Sequence, residues 1–180
     1  MDEIEAGFKK LADRVREREQ EKDPLVEKIR GKEAALLSRM ARTARLLIPT
    51  IGMNMLLRGK QDTKGELYDT AFFPKKMIVL GKTEPAEFRP DDMSKKVDDQ
   101  FCVLSEDGKI YELMYSFDGF LVDSYLKEIS PGEAVSRYGM EILYMLYAAF
   151  HDYLKGQDEL IGALKITLDF ISGNEKKKGA

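Results

Sequence analysis

Tryptophan is absent from this chain, and cysteine and histidine occur once each, as Cys102 and His151. A single thiol excludes an internal disulfide framework and suits a reducing cytoplasm. A single imidazole excludes a multi-histidine metal site and leaves any histidine-paired mechanism dependent on His151 alone. No apolar run is long enough to span a bilayer: the longest, Leu46 to Leu57, is interrupted by Pro49. The first residues, Met1-Asp2-Glu3, are acidic, so no signal or transit peptide is expected. Neither sign of charge dominates, and a net charge of −3 gives no overall pull toward nucleic acid or acidic lipid. These absences predict a cytoplasmic protein with no membrane partner.

What is present is an apolar share of 43%, enough for a real core, beside a charged share of 34%. A length of 180 residues argues for one domain with an appended helical arm. The charge is unevenly placed. Between Lys28 and Lys60 eight basic residues stand against Glu33 alone, whereas from Gln61 onward fifteen basic residues meet twenty-two acidic ones. The expected division is a helical arm over 1–60, basic from 28, an α+β domain over 61–173, and a disordered tail over 174–180.

Ile4, Phe8, Leu11 and Val15 recur at the spacing of an amphipathic helix, which Asp23-Pro24 is expected to stop or bend. Leu25, Ile29, Leu36, Met40, Ala44 and Leu47 mark a second helix. Lys32 interrupts its stripe and argues against a long uniform coiled coil. Two antiparallel helices, or a helical pair offered to a partner, fit better. Met53 to Leu57 reads as a short helix and Gly59 to Gly65 as a polar linker. Leu67 to Phe73 and Lys76 to Lys82 read as strands joined tightly at Pro74, followed by a charged connector over 83–100.

Asp107-Gly108 and Asp118-Gly119 sit between strand-like runs and predict two type I′ hairpins, hence a three-stranded meander. Two-residue loops there would pair Leu104 with Tyr111, Cys102 with Leu113 and Tyr115 with Val122. One face then carries Cys102, Leu104, Tyr111, Leu113, Tyr115, Val122 and Leu126, while Glu112, Met114, Asp123 and Tyr125 lie on the other. Ser130-Pro131-Gly132-Glu133 is a helix start with a capping box. Apolar stripes on two sides of the following helix call for cover on both, Gly156 is expected to end it, and Leu160, Leu164, Leu168 and Ile171 mark a last helix. The fold class is α+β: a five-stranded antiparallel sheet (two strands, connector, three-strand meander) packed with C-terminal helices and preceded by an N-terminal helical arm.

The candidate chemistry is sparse. Gly81-Lys82-Thr83 looks like the end of a P-loop, but the glycine needed five residues earlier is Lys76. A Cys102–His151 dyad would need the last helices to pack over Cys102; a buried core thiol and a helix-end histidine is the reading kept. Glu112 and Asp123 fall diagonally on neighbouring strands, about 7–8 Å apart, near the separation of an acid–base pair. With Met114 and Tyr125 they form a candidate pocket, against the plainer reading of solvated charges neutralised by Lys127. Asp91, Asp92, Asp98 and Asp99 lack the spacing of a calcium loop. No catalytic residue, metal ligand or cofactor is assigned.

Arg39, Arg42 and Arg45 recur every three residues, a basic ridge able to neutralise phosphates. No aromatic residue lies between Leu25 and Lys60 to stack on bases. The same ridge fits the acidic body, in cis or across a dimer. The leading expectation is a non-enzymatic regulatory or adaptor module that self-associates through its helices and a sheet face, as a homo-oligomer with a dimer favoured. A nucleic-acid-binding regulator using the basic arm, and a small-molecule sensor or enzyme using the Glu112/Asp123/Tyr125 pocket, are the alternatives.

Overall fold

Five antiparallel strands close into a barrel in chain order, and four helices, one of them a single turn, pack on its outside. The computed structural model describes Asp2–Lys178, with side chains to Ser172. A first helix, α1 (Glu3–Ala44), leads through the short α2 (Ile48–Ile51) into β1 (Met53–Gln61) and the long β2 (Leu67–Thr83). After a connector come the meander strands β3 (Asp99–Ser105), β4 (Ile110–Asp118) and β5 (Leu121–Ile129), then α3 (Pro131–Tyr138) and α4 (Glu141–Lys178). Pairing of Arg58, Gly59 and Lys60 with Asp123, Val122 and Leu121 closes the ring between β1 and β5, and the Ser124 hydroxyl donates across it to the Leu57 carbonyl at 2.6 Å. Among the described residues no helix is long and apolar enough to cross a membrane.

The α+β class and the antiparallel five-strand sheet are as the sequence predicts. The strand period of two divides the side chains between two cores. Met77, Val103, Leu113, Tyr115 and Val122 fill the barrel. On the outside Leu80, Cys102, Leu104 and Ile110 meet Leu37 and Ala41 of α1, Val135 of α3 and Ile142 of α4. Gly81 lets α4 come close: a Cβ there would stand 3.2 Å from Ile142 Cγ2. The capping box forms as read, with Ser130 Oγ accepting from Glu133 N at 3.2 Å and Glu133 accepting from Ser130 N at 2.8 Å.

The meander forms, but neither Asp-Gly pair makes the expected turn. Of the four central residues only Gly108 (φ +80°) and Gly119 (φ +59°) are left-handed. Asp107 instead uses its carboxylate as an acceptor for Lys109 N at 3.0 Å, Lys75 Nζ at 2.7 Å and the Tyr111 hydroxyl at 3.0 Å. The loop is therefore the three residues Glu106, Asp107 and Gly108, closed by Ser105 N donating to the Lys109 carbonyl at 3.0 Å. One extra loop residue turns β3 over, so Val103 pairs with Tyr111 and Cys102 with Glu112. Phe101 and Val103 thus point into the barrel, and Cys102 and Leu104 point outward beneath the helices, the reverse of the expectation. At the second turn Gly119 and Phe120 are the central residues and Asp118 pairs with Leu121. That shift moves the register by two residues, and Tyr111, Leu113, Tyr115, Val122 and Leu126 keep their predicted shared face.

Further expectations are corrected. Residues 53–57 form strand, not helix, because β2 pairs with them, and tertiary pairing overrides local preference. Pro74 lies inside the single strand β2, at a register shift where Asn54 Nδ2 donates to the Phe73 carbonyl at 2.9 Å. Helix α1 continues through Pro24, and α4 through Gly156. The backbone of α4 runs to Lys178, into the segment expected to be a disordered tail, whose last two residues lie outside the described residues.

Candidate functional site

Glu112 and Asp123 share the outer face of the barrel but not a pocket. Asp123 pairs with Ser116 and Glu112 with Lys127, four residues apart along the strands, or about 13 Å. Each carboxylate has its own cationic partner. Glu112 is fully buried and accepts two bonds from Arg137 Nη1 at 2.9 and 2.7 Å, one from the Tyr138 hydroxyl at 3.0 Å and one from Gln100 Nε2 at 2.6 Å. Gln100 Oε1 in turn accepts from Ala86 N at 2.8 Å. This cluster ties α3 and the start of the connector to the meander. Met114, also buried, lies opposite the half-buried Tyr125.

Asp123 belongs to a second cluster, built by the connector. Arg89 is 4% exposed. It donates to Asp91 through Nε at 3.0 Å and Nη2 at 2.5 Å, and to Asp123 through Nη1 at 2.8 Å. Its guanidinium also lies 5.6 Å from the Tyr125 ring centroid. Lys95 donates to the same Asp123 oxygen. Arg89 holds the Asp91 carboxyl below its ordinary range. Burial pushes Asp123 up, but Lys95 and Arg89 together more than offset it, and its pKa is also depressed. The connector is thus pinned to β5, with Val97 buried beneath it. The other connector acids have local work: Asp92 accepts from Ser94, Asp98 from Phe117 N, and Asp99 pairs with Lys82. No cluster of potential metal ligands occurs among the described residues.

The remaining candidates separate cleanly. Cys102 is buried, and burial, with Glu112 nearby, raises its thiol pKa to about 12. His151 is exposed within α4, stacked 6.0 Å from Tyr147, so no dyad forms. Gly81-Lys82-Thr83 is strand. Arg39, Arg42 and Arg45 are exposed at the end of α1, and none has an ion-pair partner among the described residues. Arg45 instead lies along the hairpin turn, where a Cβ on Gly108 would meet its side chain at 3.2 Å. A cleft of about 700 Å³ opens beside the β1–β5 closure, lined by Arg58, Lys60, Asp69, Lys95, Asp118 and Asp123. Lys60 and Asp69 are paired across it at 3.0 Å, and Asp69 is the one non-glycine residue with positive φ (+51°) among the described residues.

Exposed apolar side chains line the two helical arms. Among the described residues α1 is buried only near its C-terminus, at Leu37, Ala41 and Ala44, and α4 only near its start, at Ile142, Leu143 and Leu146. Over the rest of α1, Ile4, Phe8, Leu11, Val15, Leu25 and Ile29 are each more than half exposed. On α4, Leu154, Ile161, Leu164, Leu168 and Ile171 are similarly open. The apolar spacing of both stripes was visible in the sequence; that the barrel leaves them uncovered was not. No protein-family model matches the chain, and no curated protein or solved structure matches it.

Proposed function

We propose that this chain is a non-enzymatic regulatory or adaptor module that self-associates through its helical arms, with a second copy as the occupant of the exposed stripes. The observation that carries the reading is the pair of long apolar stripes that the chain's own barrel does not cover. Contiguous apolar surface on that scale marks an association site, and isolated helices gain most of their stability from packing an apolar face. The outer sheet face is already occupied by the chain itself, by α3 at Glu112 and by the connector at Asp123 and Tyr125, so the arms rather than a sheet face carry the association. The buried thiol and the two neutralised carboxylate clusters agree with a structural rather than catalytic use of the polar residues.

Light scattering coupled to size-exclusion chromatography tests the reading. The full chain is expected at twice the monomer mass or more at micromolar concentration. Leu11→Glu with Ile29→Glu, or Ile161→Glu with Leu164→Glu, is expected to lower that mass while leaving the near-ultraviolet signature of the barrel intact. A wild-type protein that stays monomeric at all accessible concentrations overturns it.

A second reading follows from Arg39, Arg42 and Arg45 being exposed and without an ion-pair partner among the described residues: the same arm end contacts a phosphate backbone. Reversing all three arginines should then abolish binding to duplex or single-stranded nucleic acid at low salt. Absence of any low-salt affinity in the unmodified chain rejects it.

A further inference from the structure

We propose that the α1 arms of two copies pair in parallel and in register as a two-stranded coiled coil, which places the two barrels side by side at one end. The inference rests on the self-association reading above and gives it a surface, an orientation and a register.

The exposed stripe of α1 advances by alternating steps of four and three, the heptad spacing of a coiled-coil seam. Phe8, Val15 and Ile29 occupy a positions, and Ile4, Leu11 and Leu25 occupy d positions. β-Branched residues at a with leucine at d favour two parallel strands. The seam continues to Leu36, about 50 Å of helix. Charged residues occupy three seam positions: Arg18 and Lys32 at d, and Lys22 at a. Such residues cost stability and pin the register. Arg18 already pairs with Glu21 of its own helix at 2.7 Å. Pro24, at c, stays outside the seam.

The flanking charges choose the orientation. In a parallel pair each g position meets the e position five residues on in the partner helix. That sets Arg14 against Glu19 and Lys28 against Glu33, four attractive flanking contacts by symmetry and no repulsive flanking one, while Arg18, Lys22 and Lys32 each face their own copy in the seam at a cost in stability. An antiparallel pair that keeps the same a and d layers instead sets Arg14 against Lys28, Glu21 against Glu21, Glu5 against Glu33 and Glu19 against Glu19. Every one of those is repulsive, and like charges held opposite one another select against that arrangement.

The barrel does not obstruct the pairing. Leu37, Ala41 and Ala44, which seat α1 on its own barrel, occupy b, f and b, the side of the helix facing away from the seam. The seam ends at Leu36, one turn before Met40 and Ala44 meet Leu146 and Phe150 of α4. Two copies therefore join seam to seam with their barrels outward.

Cysteine trapping in the full chain tests the orientation. Leu11→Cys and Ile29→Cys are made singly; Cys102 is buried and needs no replacement. Under mild oxidation each variant alone is expected to form a same-site crosslink, and peptide mapping of their mixture should find 11–11 and 29–29 linkages. An 11–29 linkage in the mixture, with neither variant linking alone, shows antiparallel arms and overturns the inference. A dimer by scattering that links at neither site puts the interface elsewhere, which overturns the inference and leaves self-association standing. A monomer overturns both. Charge exchange is the second arm of the test, because it leaves the apolar seam intact. Arg14→Glu with Lys28→Glu should weaken dimerisation by about tenfold, and adding Glu19→Arg with Glu33→Lys should restore it. Failure of the second pair to restore affinity overturns the register.

Discussion

The barrel with its seated helix ends, and the two arms that leave it, solve the burial problem in opposite ways. In the barrel Leu113 is sealed inside the ring, Glu112 is buried against Arg137, and Arg89 against Asp91 and Asp123. In the arms Leu11 and Leu164 are more than half exposed, and the ion pairs are short-range surface pairs such as Arg18–Glu21 and Arg30–Glu27, which contribute little. The body's free energy is collected within one chain. On the proposed self-association, that of the arms would be collected only when a second chain arrives, and so would depend on concentration. One sequence would then hold a unimolecular and a bimolecular folding problem, joined at Leu37 and Ile142.

The sharpest separation of the two regions comes from equivalent leucines. Leu113→Ala should lower unfolding free energy by about 3 kcal/mol or more through the cavity it leaves, with the scattering mass of the folded protein unchanged. Leu11→Ala should leave the barrel's denaturant midpoint within about 0.5 kcal/mol of the parent and shift the concentration at which the chain associates. Equal effects on both measurements for both variants would erase the distinction.

Next in size is the buried cluster. Arg137→Ala strands the buried Glu112 carboxylate; removing one member of a fully buried pair costs about 3–5 kcal/mol, and less is expected here because the Arg137 side chain is 43% exposed. The loss is reduced further because Tyr138 and Gln100 still donate to Glu112. Chemical denaturation would read it, and a change under about 1 kcal/mol would mean that the cluster does not hold α3 to the meander.

Acid should act locally before it acts globally. Asp91 and Asp123 have depressed pKa values in the folded chain, so their contribution is complete above the unfolded carboxyl value. It is lost as pH falls through the lower folded values, below about pH 4. The amide NMR signals of residues 86–97 are expected to lose dispersion there ahead of those of the meander. In Arg89→Ala the same signals should already be altered at neutral pH. The smallest effect expected is that of Ser130→Ala, about 1 kcal/mol for a lost helix cap, visible as a lowered melting temperature without change in association.

How much of this was legible depended on the range of the determining contact. The capping box at Ser130 and the antiparallel meander are written in neighbouring residues and read correctly. The shared face of Tyr111, Leu113, Tyr115, Val122 and Leu126 survived because the second turn moved by an even step. The first turn moved by an odd step, since Asp107 found Lys75 as a partner from another strand, and Cys102 changed sides with it. The Glu112/Asp123 pocket depended on the second turn, whose two-residue step took Asp123 from a diagonal neighbour of Glu112 to four residues away along the strands. Its replacements, Arg137 and Arg89, lie 25 and 34 residues from the carboxylates they neutralise, a pairing that no local pattern encodes. Pro24 and Gly156 misled for a related reason: both arm stripes keep their phase through those residues, and the helices continue with them.

Ring closure between β1 and β5 has a consequence for crowding. Arms that hold two copies together raise the local concentration of one barrel near the other to the millimolar range. An open sheet at that concentration would offer rows of unpaired N–H and C=O groups on which a neighbour could add a strand. Here Gly59 and its neighbours already spend those groups on β5. Were the arms to pair as proposed, the closed ring would disfavour strand exchange between the tethered barrels.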